Sequence, residues 1–126
     1  MNKKISILIH LVIPLFAIHL VEEIKTGFYQ TDQSIKHLSQ YTHLSTEITF
    51  LSTEIVLFMF LGFLLFTILR KKQIPLSLLL LLSIISIYEF THTLQALKFG
   101  AYTPGVITGT LIGIAGLMLL YTEVFA

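Results

Sequence analysis

A histidine and two glutamates stand together in the stretch HLVEE, His19 to Glu23, near the end of a nearly uninterrupted apolar run that begins at Ile5. A second histidine, His92, follows Glu89 by three residues, and Glu54 interrupts another apolar stretch. Imidazole and carboxylate without thiolate suit zinc, iron or manganese, and the chain has no cysteine to offer. Helix residues three or four apart share a face. His19, Glu22 and Glu23 therefore span about 100° of one helix, and Glu89 and His92 form a pair one turn apart. Single glutamates together with Glu-x-x-His pairs are the parts of two-metal carboxylate sites in four-helix bundles. The expected ligands of a divalent metal are His19, Glu22, Glu54, Glu89 and His92, with Glu23 as general base. Gln95 and Tyr102 are expected to orient substrate. A zinc-type site with an open position would activate water for hydrolysis.

These residues need elements to carry them, and the composition says which. The chain has 126 residues, of which 55% are hydrophobic and 12% charged. That charged share is about half the value usual for a soluble domain. A bilayer-spanning helix needs ~20 mainly apolar residues. Four segments meet this, roughly 5–25, 46–69, 74–98 and 104–124. The fold expected is all-α, a single domain forming an antiparallel four-transmembrane-helix bundle in the lipid bilayer. Lys3 and Lys4 before the first apolar run also open a signal-peptide reading. No small-x-small cleavage site follows them, and cleavage would remove His19, so the first segment is read as a span.

Basic residues set the orientation. Lys3, Lys4, Arg70, Lys71 and Lys72 lie on one side, and Lys25, Lys36 and Lys98 on the other. Five against three places both termini on the cytoplasmic side of the inner membrane, with the polar loop 26–45 and the link around Gly100 outside. The loop is long for a compact domain, which predicts a surface helix or a lid. With this orientation, His19, Glu22, Glu23, Glu54, Glu89 and His92 come to a similar depth in the outer leaflet. The inner half is read as nearly empty of ionisable groups. His10 and His37 are expected at interfaces or in loops, and His43 and Glu47 exposed.

An acid at the centre of a membrane helix costs ~2.5–3.5 kcal/mol on insertion scales, and clustered carboxylates repel one another. Protons, histidinium or a metal must offset that repulsion. This leaves three functional readings: a metal-dependent hydrolase acting on a membrane-embedded substrate, a proton- or ion-binding or transport subunit, and an accessory membrane protein whose polar cluster only sets helix register. The net charge of +1 excludes a basic nucleic-acid surface, and no phosphate-loop or cofactor fingerprint is present. Gly105, Gly109 and Gly113, four apart, predict close helix packing, within the bundle or between two copies through helix four.

The order His-x-x-Glu-Glu approaches the inverted zinc-peptidase motif, but Glu23 stands where that motif has its second histidine, which argues against a peptidase. Two stretches together, HLVEE (His19–Glu23) and YEFTHTLQALKFGAYTPGVITG (Tyr88–Gly109), resemble the HXXEE-domain family of small bacterial membrane proteins. The resemblance covers nearly the whole chain. It implies a membrane protein with His19, Glu22, Glu23, His92, Tyr102, Pro104 and Gly105 at characteristic positions. The family's biochemical function is undefined, so the resemblance supplies no reaction.

Overall fold

A computed structural model describes residues 2–70 and 72–125; Lys71, one of the three basic residues of the inner link, lies outside them. Every regular element among the described residues is helical: α1 (Lys3–Thr26), α2 (Phe28–Thr31), α3 (Gln33–Thr42), α4 (Thr46–Leu69), α5 (Leu76–Tyr88), α6 (Phe90–Phe99) and α7 (Val106–Phe125). Four stretches are long and apolar enough to cross a membrane: α1, α4, α5 with α6 taken together, and α7.

Local chemistry explains where the helices begin. Asn2 accepts from the Lys4 amide at 2.9 Å, so α1 starts two residues before the first apolar position. Ser45 caps α4 through the Ile48 amide at 3.2 Å. Such caps satisfy amides that have no partner inside the helix. Pro75 precedes α5 as its cap residue, and Pro104 lies in the turn before α7. Both were expected inside their helices. The polar stretch 26–45 folds into α2 and α3. Gly27 ends α1 by donating to the Glu23 and Ile24 carbonyls, and Asp32 caps α3 through the Ile35 amide at 2.9 Å.

The interior joins apolar side chains from four helices, among them Val12 and Phe16 of α1, Leu64 of α4, Leu82 of α5, and Ile112 and Leu119 of α7. Large apolar residues also point outward all round: Met59 is 70% exposed and Ile84 63%. The buried set, by contrast, includes His19, Glu23, Ser83, Ser86, His92 and Thr108. An apolar rind over a partly polar interior is unfavourable in water and matches a bilayer as solvent.

Helix α7 is central and packs against α1, α5 and α6. Its glycines make the approach close. A Cβ on Gly109 would lie 3.0 Å from the Glu89 carbonyl oxygen, one on Gly113 2.7 Å from the Phe90 ring, and one on Gly116 2.7 Å from Ser86 Cβ. The glycine face is thus filled from within the chain. At Gly116 the added atom would also sit 2.9 Å from the Ile87 backbone nitrogen, which cannot swing aside. Gly116→Ala is expected to destabilise the fold by about 1–3 kcal/mol, read as a lower thermal midpoint in detergent.

Two features matter for the site. Helices α5 and α6 meet at Glu89, where the ladder tightens: the Glu89 amide donates to the Ser86 carbonyl at 3.3 Å, and the His92 amide to the Glu89 carbonyl at 3.2 Å. Bonds of i to i+3 type nearly eclipse side chains three apart, so Glu89 and His92 stack on one edge. Helix α4 packs against α1, α2 and α3 and makes no close backbone contact with α5 among the described residues. Their side chains share the core at Leu61, Leu64, Leu79 and Leu82, and a cleft opens between Val56, Leu57 and Phe60 of α4 and Leu81 and Ile85 of α5.

Candidate metal centre

Helix α1 presents His19 and Glu23 one turn apart on its buried face, and the α5–α6 junction presents Glu89 and His92. The four meet in a closed ring. His19 Nε2 lies 3.3 Å from Glu23 Oε1 and 3.0 Å from Glu89 Oε2. His92 Nε2 lies 3.4 Å from the same Glu23 oxygen and 3.2 Å from the same Glu89 oxygen. The imidazoles are edge to face, with ring centroids 5.0 Å apart. His19, Glu23 and His92 are buried and Glu89 nearly so. One ligand atom each from His19, Glu89 and His92 falls within 4.8 Å of the others.

The far side of each imidazole determines which nitrogen carries hydrogen. His92 Nδ1 is 2.7 Å from the Pro104 carbonyl oxygen. A carbonyl only accepts, so Nδ1 is the protonated nitrogen. His19 Nδ1 is 2.7 Å from Thr108 Oγ1, and that hydroxyl donates to Glu22 Oε2. The threonine oxygen is then left to accept, and His19 Nδ1 donates to it. In the neutral tautomer of both rings, the bare Nε2 lone pairs face the two carboxylate oxygens. Four electron-rich atoms converging in a buried space must be offset by added protons or by a metal cation. Fixing the tautomer through Nδ1 is also how a metal-binding imidazole is usually oriented.

Glu22 faces another way. Its Oε1 accepts from the Tyr102 hydroxyl at 2.6 Å, and its Oε2 accepts from the Thr108 amide at 3.1 Å as well as from the Thr108 hydroxyl. The carboxylate thus closes the N-terminal turn of α7, whose free amides favour an anion. Burial first, and then the bond to Glu22, push the Tyr102 phenol up to about 12, so it remains a donor across the ordinary pH range. The two acids of HLVEE have parted: Glu23 joins the histidines, and Glu22 ties α1 to α7 and holds His19 through Thr108.

The other expected residues fall around this ring. Glu54, half-buried on α4, lines the same cavity as His19, Glu23, Glu89 and His92, a space of about 390 Å³. No hydrogen bond or ion pair joins its carboxylate to the ring. Gln95 lines this cavity and a neighbouring one of about 420 Å³. Tyr102 binds Glu22 and lines neither. Gly105 lies against both imidazoles: a Cβ there would meet Cε1 of His19 at 2.8 Å and of His92 at 2.9 Å. His10, His37, His43 and Glu47 are exposed, away from the ring.

Two contributors, Thr108 and the Pro104 carbonyl, lie in the stretch that carries the family resemblance but have no role assigned by sequence reasoning, and a third, Phe28, whose ring lies 5.0 Å from that of His92, is not singled out by it. Glu123 also stands out, because the inner half had been read as nearly free of ionisable groups. It accepts from Ser83 at 3.2 Å, and its second carboxylate oxygen is buried without a partner.

No curated protein and no solved structure matches the chain. A family model described as a protein of unknown function with HXXEE motif matches residues 10–120, a stretch that contains every residue of the ring and its supports. The chain therefore belongs to the HXXEE family, and the motif for which the family is described provides two of the ring's four side chains, His19 and Glu23.

Proposed function

We propose that the ring of His19, Glu23, Glu89 and His92 holds a divalent cation and that the protein is a membrane hydrolase built around it. The spacing of the ring carries this reading. Charge-assisted N–H···O bonds run about 2.7–2.9 Å, shorter than the 3.0–3.4 Å found here. Zinc-type bonds of ~2.0–2.2 Å place neighbouring ligand atoms about 3.3–3.6 Å apart around a tetrahedron and about 3 Å apart at right angles; His19, Glu89 and His92 form the compact set, and Glu23, close to both imidazoles but outside that set, would swing in to complete it. Two neutral imidazoles, two carboxylates and a divalent cation also sum to zero charge, which lowers the cost of burial.

This assignment moves Glu23 among the ligands and Glu22 to a supporting place. Glu54 then takes the role of general base, since it faces the cavity without a partner in the ring. The cation would lower the pKa of a bound water. Glu54 would accept the water proton as the oxygen adds to an acyl carbon. The ester C–O bond would break next, with the proton passing to the leaving oxygen. Gln95, on the cavity wall, would orient the substrate. The register of α7 glycines on α5 and α6 supports an antiparallel bundle, and the basic-residue bias supports termini on the cytoplasmic side with the centre in the outer leaflet.

The test is elemental mass spectrometry on detergent-purified protein. Wild type is expected to carry close to one zinc, iron or manganese per chain, and His19→Ala and Glu89→Ala to lose it. Folded wild-type protein free of metal, and unable to take up added zinc or manganese, would overturn the reading and leave a ring neutralised by protons.

A further inference from the structure

We propose that the cleft between α4 and α5 is a lateral portal, through which one acyl chain of a membrane lipid lies in the protein while its polar head reaches the His/Glu ring. This rests on the proposed centre for its chemistry and adds the substrate class. The cleft holds about 460 Å³ and is walled by Val56, Leu57 and Phe60 of α4 and by Leu81 and Ile85 of α5. It adjoins the polar cavity, because Thr53, Glu54 and Leu57 line both. On α4 the lining from Thr53 to Phe60 covers about 10 Å of helix axis at ~1.5 Å per residue.

Both walls change character in the same direction. Along α4, Phe60, Leu57 and Val56 lead to Glu54 and Thr53. Along α5, Leu81 and Ile85 lead to Tyr88 and Glu89, which line the polar cavity. An apolar slot that ends in acids and imidazoles is complementary to an amphiphile, chain first and head inward. The slot borders outward-facing apolar residues, with Val56 67% exposed and Ile84 63%, so its occupant comes from the hydrocarbon phase. A second cavity adjoins on another side. This cavity of about 420 Å³, lined by Gln33 and Lys98 but also by Phe99 and Pro104, shares Phe28, Asp32 and Gln95 with the polar cavity. The reacting head would thus lie between a lipid-side slot and this neighbouring cavity, with α2 against the ring through Phe28.

The experiment is photolabelling in nanodiscs with a phosphatidylglycerol that carries a diazirine in one acyl chain, followed by peptide mapping. Labelling at Thr53–Phe60 and Leu81–Ile85 is expected to exceed that of the outward face of α7 at Leu117 and Met118. Leu81→Trp, which fills the slot, is expected to reduce that excess to the level of α7 and leave the metal content unchanged. Leu57→Phe provides the same test if Leu81→Trp fails to fold. Labelling spread evenly over all exposed apolar faces would overturn the portal, whether or not metal is bound. Excess labelling in a protein that binds no metal would support the portal and remove the hydrolytic reading.

Discussion

Glu23→Gln abolishes binding of a divalent cation, whereas Glu22→Gln, one residue away, weakens it by about 10–100-fold: this is the expected result of titrating both variants with zinc or cobalt. The neighbours are chemically identical and both stand near the end of α1. They differ in what surrounds them. Glu23 Oε1 is shared between His19 Nε2 and His92 Nε2. An amide there keeps the shape, removes one negative charge and leaves a weaker ligand in a buried place. Glu22 acts at one remove, because its carboxylate orients the Thr108 hydroxyl that in turn receives the His19 Nδ1 hydrogen. Glutamine at Glu22 can keep its one amide oxygen on the Thr108 donors only if its NH2 donates to the Tyr102 oxygen, whose hydroxyl must turn away, so the His19 tautomer is loosened rather than lost. Equal effects from the two substitutions would contradict this division of roles.

The second large effect is expected at Gly105. Its φ of +81° is a conformation that a side chain disfavours by about 1–2 kcal/mol. Space adds to that cost, because a Cβ would approach both imidazoles within 3 Å. Neither ring can retreat freely, since His92 is held by the Pro104 carbonyl and His19 by Thr108. Gly105→Ala is therefore expected to lower the thermal midpoint and to eliminate cation binding together. Gly100→Ala separates the two causes. Gly100 also has a positive φ, +62°, but nothing lies within 4 Å of its Cβ position. It should lower the midpoint modestly and leave the cation site intact. Loss of binding in both variants would trace the effect to general unfolding; loss in Gly105→Ala alone would tie it to the crowded contact with the histidines.

Much of this architecture could be read from residue types alone. Long apolar runs punctuated by Pro75, Gly100 and Pro104 implied four helices long enough to span a bilayer, and helices with those properties are present. The polar residues worth attention, His19, Glu54, Glu89 and His92, were also visible, because an ionisable group in an apolar helix is costly and calls for a reason. Periodicity went no further, for a physical cause. Positions i+3 and i+4 from His19 both lie on its face of the helix, so His-x-x-Glu and His-x-x-x-Glu are equally available pairs.

The choice between Glu22 and Glu23 depends on what stands on either side of α1. Helix α7 offers the Thr108 amide and hydroxyl to one acid, and α6 offers His92 to the other. The same holds for the tautomers, set by a carbonyl 12 residues from His92 and a hydroxyl 89 residues from His19. The tightened turn at Glu89 and the cleft between α4 and α5 likewise follow from how whole helices pack. A sequence determines which side chains a helix carries and the angle between them. The rotation of each helix about its axis, and hence which of two adjacent acids meets the histidines, is decided only when the neighbouring helices bring their own donors and glycines into contact.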